Sequence, residues 1–237
     1  MTKFDVRKRN SGTERQRVPD WIRDFRCQGW TNVFDLLPDE EHLYGTETLF
    51  GDWNSSILLL AKDWGSTSVL EEAIRDGEPR PWRHAGPDDG FGWRTNRRLL
   101  DFAAMIPGDK LYGSAAASML FDAPGASREL KGFYTDPLQT FLLNVLRWVL
   151  GTMPHVEWVA CLGKEAWFLT CITLSNSVAA NQFRQYRDSY RPLEGVFVNK
   201  KITAFPLYHP AALGNAINEM ETGWRAFAAA FKSSVKK

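Results

Sequence analysis

The chain has 237 residues, 44% of them hydrophobic, and a formal net charge of +1. That length can bury a full core, and so even a charge balance argues against a protein that coats nucleic acid through bulk charge. No run of about 18 consecutive apolar residues occurs, so no membrane-spanning segment is expected.

Residues 1–18 are polar and basic, with Arg7, Lys8, Arg9, Arg15 and Arg17 and no apolar core of a secretory signal. They read as a flexible basic arm ahead of a single domain at 19–237. Residues 19–36 carry apolar side chains at irregular helical spacing, which predicts short helices. The continuous apolar run Ile57 to Ala61, closed by Asp63-Trp64-Gly65, predicts a strand buried on both faces, as in a parallel sheet. Residues 78–93, rich in Pro, Gly and Asp, read as loop. A helix should follow, with Leu99, Leu100, Phe102 and Ala103 facing inward.

Asp136-Pro137 reads as a helix start, a capping carboxylate before a proline at the first helical position. Leu138, Phe141, Leu142, Val145 and Val149 then recur at spacings of three and four, up to Gly151. Val156 to Leu162 predicts a second buried strand, and Gly163 leads into a helix from near Lys164. Val196 to Val198, a polar Asn199-Lys200-Lys201 and Ile202 to Leu207 predict a hairpin. A last helix places Ile217, Met220, Trp224, Phe227 and Phe231 on one face. Strands alternating with helices predict an α/β fold: three α/β/α layers around a central, mostly parallel sheet.

In such sheets ligands sit beyond the carboxyl ends of the strands, which singles out two positions. Asp63 follows a dry strand, and Gly65 beside it permits close backbone approach to a ligand. A carboxylate there can orient water or face a developing positive charge, although capping the next turn is the plainer use of such an Asp. His209 follows another apolar strand, with Pro210 fixing the chain direction after it. It can donate to a leaving group or accept a proton, whereas an imidazole satisfied by backbone is the commoner occurrence. Arg94, Arg97 and Arg98 form a local basic patch, a pattern that is most often a solvated face. Most of the ten tryptophans belong to packing, and a few could offer stacking surfaces to bases.

The three cysteines, Cys27, Cys161 and Cys171, offer neither a disulfide framework nor metal-ligand spacing, so a reducing cytoplasm is the expected location. His84 and His155 have no carboxylate or cysteine at ligand spacing, and no metal or other cofactor is expected. Phosphate-loop, dinucleotide and nucleophile-elbow motifs are all missing from the sequence.

Taken in order, these segments resemble the uracil-DNA glycosylase superfamily. Leu49-Phe50-Gly51-Asp52 and the Ile57–Gly65 segment look like that superfamily's first motif and its lead-in. Ala61-Lys62-Asp63-Trp64-Gly65 stands where members carry Gly-Gln-Asp-Pro-Tyr or Gly-Glu-Ala-Pro-Gly. Phe91-Gly92 and Asn96-Arg97-Arg98-Leu99-Leu100-Asp101 resemble the segment that supplies a stacking aromatic and enters a helix. Trp158 to Ala166 is similar to a late strand-to-helix step, and Tyr208-His209-Pro210-Ala211 to the closing His-Pro-Ser motif. The likeness runs from about residue 48 to 230, and its specificity lies in the ordered set rather than in any one motif.

The resemblance implies a glycosylase-like fold and hydrolysis of the bond joining a damaged base to deoxyribose in DNA. Asp63 would position water and stabilise the sugar cation, and His209 would stabilise the departing base. Phe91, or else Trp93, would stack on the extruded base, with Trp64 and Ser114 also on the base. Lys62, Gly65, Arg94, Arg97 and Arg98 would hold the DNA strand. The expected partner is DNA, bound by a monomer.

Four departures bear on specificity. The asparagine with which members read uracil falls at Ser114 or Ala115, and neither can make its two-sided amide contact. Ala211 replaces the serine of the last motif, Trp64 replaces a proline, and the cysteines of the iron–sulfur branch are missing. A non-catalytic nucleic-acid or nucleotide binder on the same fold is the main rival. An enzyme acting on free nucleosides is a third reading with no motif of its own.

Overall fold

The computed structural model describes residues 17–27, 29–38, 53–62, 67–76, 94–106, 111–115, 119–121, 137–210 and 216–235. The elements run α1 Asp20–Arg23, β1 Trp30–Asn32, α2 Val33–Leu36, β2 Ile57–Ala61, α3 Thr67–Arg75 and α4 Arg94–Ala103. Next come β3 Tyr112–Ala115, β4 Met119–Phe121, α5 Leu138–Thr152, β5 Trp158–Leu162 and α6 Lys164–Thr173. The chain closes with α7 Ser177–Ala180, α8 Phe183–Asp188, β6 Leu193–Phe197, β7 Lys200–Leu207 and α9 Ala216–Val235.

Five strands form one open sheet in the order β3-β2-β5-β7-β6, all parallel except β6, which pairs antiparallel with β7. The central strands consist almost wholly of apolar residues because both of their faces are covered. Alternate side chains point to opposite sides. Leu58, Leu60, Val159, Cys161, Ile202 and Ala204 join the core under α5 and α6. Ile57, Leu59, Ala61, Trp158, Ala160, Leu162, Phe205 and Leu207 join a second core under α4 and α9. Two cores on one sheet make the three layers expected of an α/β fold. Each is anchored by large side chains, Trp167 in the first and Trp224 with Phe227 in the second, all fully buried.

The strands at 57–61 and 158–162, the helix from Lys164 and the long last helix fall where the sequence places them. Leu99, Phe102 and Ala103 are buried on α4 as expected, and so is the stripe of α5. Several boundaries differ: β5 begins at Trp158 rather than Val156, and β6 at Leu193 rather than Val196. Val18 is buried in the first core, so the packed body begins inside the stretch assigned to the arm. Pro137 flanks α5 instead of opening it, with its carbonyl accepting from the Phe141 N–H at 3.0 Å; Asp136 lies outside the described residues. The hairpin turn is Val198-Asn199, one residue earlier than its polar composition suggests. Both residues have positive φ (42° and 66°), as a tight two-residue turn between twisted strands requires.

Among the described residues no helix is long and apolar enough to cross a membrane. A small second sheet pairs β1 with β4. Asn32 at the end of β1 is fully buried, and its amide is committed to structure. Nδ2 donates to the carbonyls of Ile22, Arg23 and Phe25, and Oδ1 accepts from the Phe34 N–H.

Candidate functional site

Three parallel strands deliver their carboxyl ends to one edge of the sheet. Leu60, Cys161 and Pro206 stand in register across β2, β5 and β7. Two residues further on, Lys62, Gly163 and Tyr208 leave the sheet side by side, and His209 follows Tyr208. The edge therefore collects residues from positions far apart in the chain, the usual consequence of parallel strands.

Gly163 sets the exit of β5. Its φ of 108° belongs to backbone that side-chain-bearing residues rarely adopt. Its N–H points to the carbonyls of Leu207 (2.9 Å) and Cys161 (3.0 Å), which ties the end of β5 to the end of β7. A Cβ at this position would stand 3.7 Å from Glu165 Oε2 and 4.0 Å from His209 Cβ. The glycine thus keeps a narrow space open between a carboxylate and the histidine. Glu165 sits in the first turn of α6, where its charge also suits the helix dipole, and it pairs with Lys164 at 3.7 Å.

His209 is half-buried. Burial, first, and the positive charge of Lys62, second, lower its imidazole to about 4. At neutral pH the ring is therefore uncharged, with one N–H to donate and one nitrogen to accept. The electrostatic influence of Lys62 carries a further geometric meaning: the ends of β2 and β7 approach each other across β5. Next along the chain, the Pro210 carbonyl accepts from Arg98 Nη1 at 2.9 Å. Arg98 thereby brings α4 to the turn that carries His209.

Of the residues singled out from the sequence, the structure brings Lys62, His209 and Arg98 to this edge. Ser114 belongs to β3, opposite Leu60, one residue before the strand ends at the same edge. Arg94 and Arg97 lie on α4, with side chains outside the described residues. Asp63, Trp64, Gly65 and Phe91 lie outside them altogether, although Asp63 directly follows Lys62 in the chain. Sequence reasoning missed Gly163 as a constrained position and Glu165 as its neighbour. A glycine between a buried strand and a helix start was the available signal.

The described residues also form a cleft of about 700 Å³ at the opposite, amino edge of the sheet, lined among others by His155, Glu157, Glu194, Lys200 and Lys201. Its cations are already engaged. Lys201 pairs with Glu194 at 3.0 Å, and Lys200 Nζ donates to the carbonyls of Leu150 (2.9 Å) and Met153 (2.7 Å) at the end of α5. Among the described residues the chemistry favours the carboxyl edge over this cleft.

Cys161 and Cys171 are buried thiols, and desolvation pushes Cys161 up to about 12 and Cys171 also upward. Such groups are poor nucleophiles at neutral pH. No protein-family model matches the chain, and no curated protein is significantly similar to it.

Proposed function

We propose that this chain is a DNA glycosylase-like hydrolase that cleaves the N-glycosidic bond of uracil or another damaged base, using Asp63 and His209. The observation that carries the reading is the neutral, half-buried His209 at a strand end beside Lys62, the residue that leads directly into Asp63. The fold assigned by the resemblance, a uracil-DNA glycosylase-like sheet with its site at the carboxyl edge, is part of the same proposal.

In this mechanism the glycosidic C–N bond breaks, and its electron pair leaves with the base. A water oxygen then bonds to the sugar C1′, and its proton passes through the Asp63 carboxylate to neutralise the departed base anion. The sugar gains cationic character that the Asp63 carboxylate stabilises while it orients the water. The base gains negative charge, met by an N–H of His209. A neutral imidazole suits this task because it donates without first acquiring a proton. Lys62 adds positive charge on the side of the leaving group. Extruding the nucleotide calls for stacking, which falls to Phe91, and Lys62, Gly65, Arg94, Arg97 and Arg98 would hold the strand phosphates.

Base release from end-labelled single- and double-stranded oligonucleotides containing uracil or hypoxanthine tests the reading. Wild type should release one of these bases, and Asp63→Ala should reduce release by about 100-fold or more, as expected when a preorganised transition-state contact is lost. Undiminished release by that variant would remove Asp63 from the mechanism. The rival, a nucleic-acid binder without chemistry, draws support from Ser114 and Ala115 standing where an asparagine would read uracil, and from Ala211. Tight binding with no release of any base would establish it.

A further inference from the structure

We infer that Arg187 and Glu219 are positioning residues for His209, acting through the ring and hydroxyl of Tyr208. The inference deepens the proposed function, since it concerns how that site holds its imidazole. It begins with a side chain that precedes His209 by one residue and is gripped by two helices.

The Tyr208 hydroxyl donates to Glu219 Oε2 in the first turn of α9. Over the ring of the same residue lies the Arg187 guanidinium, with Cζ 4.1 Å from the centroid. Arg187 comes from the last turn of α8, so the two contacts arrive from separate elements. The guanidinium is itself constrained. Its Nε and Nη2 both donate to Asp188 Oδ1, at 2.8 and 2.6 Å, and Cζ lies 5.5 Å from the Phe183 ring. Only 16% of the Arg187 side chain is exposed, which is low for an arginine whose salt bridge is to its own neighbour. A planar cation held over an aromatic face makes a contact that a flexible ammonium would not reproduce.

Burial, and next the Glu219 hydrogen bond, push the Tyr208 phenol up to about 12, so it remains a donor at any physiological pH. Neither contact is therefore lost through ionisation of the phenol under working conditions. On the other side of His209, Arg98 holds the Pro210 carbonyl, and Gly163 holds the Leu207 carbonyl from the end of β5. Leu207, Tyr208 and Pro210, the residues around His209, are thus tied to the end of β5, to α8 and α9, and to α4. Packing of α8 and α9 needs none of this to converge on one residue, since α9 buries Met220, Trp224 and Phe227 and α8 rests the partly buried Phe183 and Tyr186 against the first core. Placing a donor within a few tenths of an ångström of a departing base does need it.

The test reads His209 directly. Imidazole nitrogen and carbon-bound proton signals are recorded by NMR across pH in the full-length wild type and in Tyr208→Ala, Tyr208→Phe, Arg187→Lys and Glu219→Gln. In wild type the ring should titrate near 4. Tyr208→Ala, which removes both contacts, should loosen the turn, admit water, and move the midpoint upward toward 6.5. Tyr208→Phe and Arg187→Lys should shift it by less, and Glu219→Gln, which keeps an acceptor, should stay close to wild type.

Folded Tyr208→Ala protein with wild-type His209 signals and midpoint overturns the inference. Should that variant fail to fold, unchanged signals in both Tyr208→Phe and Arg187→Lys overturn it equally. Base release in the same variants should fall in kcat by about tenfold or more for Tyr208→Ala, with KM little changed, because misplacement of a transition-state donor acts on the chemical step. The NMR readout does not depend on catalysis, so failure of the glycosylase reading and failure of this inference are separate results.

Discussion

The two ends of the central sheet invite opposite conclusions depending on what is weighed. At the amino edge there is an open cleft of about 700 Å³, yet Lys200 and Lys201 are spent on helix carbonyls and on Glu194. At the carboxyl edge, by contrast, Gly163 adopts a φ of 108° and His209 is held uncharged. Proteins keep costly arrangements of this kind where an ordinary one would not serve. An ionisable ring taken out of water, on a turn tied to four elements, is a better mark of function than a volume lined by satisfied charges.

The sharpest way to expose that difference is through pH. The folded-state pKa of His209 lies near 4 and its ordinary value is 6.5. Its folded form therefore binds fewer protons than the unfolded chain between those values, so protonation favours unfolding there. The stability contribution is fully present above about pH 6.5, falls as pH drops toward 4, and levels off below. At about 1.4 kcal/mol per pH unit the loss amounts to at most about 3.5 kcal/mol. Urea denaturation of wild type and His209→Asn at several pH values checks it. The slope between pH 6.5 and 4 should shrink in the variant, and an equal slope in both proteins would mean that the carboxyl edge stores no such cost.

A somewhat smaller effect is expected from Gly163→Ala. The added methyl meets nothing closer than 3.7 Å, so sterics with neighbours are mild. The cost comes from the backbone, since alanine at this φ is strained by about 1–3 kcal/mol. Thermal or urea unfolding should report that loss, and base release should fall with it as the methyl enters the space between Glu165 and His209. Wild-type stability would show that the strand exit is not constrained.

Much of this architecture could be read from the chain because its cause is local. Ile57–Ala61 and Trp158–Leu162 are continuous apolar runs, and a run that short with turn residues after it has few other uses. The α5 stripe was legible for the same reason. Val198 misled, because a β-branched residue between strands reads as strand, whereas here it occupies a left-handed turn position. The short β3 strand, Tyr-Gly-Ser-Ala, carries almost no apolar pattern and takes its identity from pairing with β2. His209 was legible as a strand-end residue. What surrounds it was not: Arg98 reaches Pro210 across 112 positions, and Arg187 and Glu219 meet Tyr208 only after α8 and α9 have packed.

The smallest effect belongs to the amino edge and could still reverse the comparison. Lys200 Nζ closes the end of α5 by donating to the carbonyls of Leu150 and Met153 at 2.9 and 2.7 Å. Carbonyls in the last turn of a helix lack intrahelical partners, and a cation there also faces the negative end of the helix dipole. Lys200→Met keeps the aliphatic stem and removes only the ammonium, so the expected loss is about 1–2 kcal/mol. Because Lys200 lines the cleft, water can reach the position its ammonium vacates, which places the effect toward the lower end. Base release should be unchanged, since the ammonium stands at the far ends of the strands from His209. A variant that unfolds like wild type but no longer releases base would move the working site to the amino edge, and the engaged charges there would then have to be read as ligand contacts in waiting.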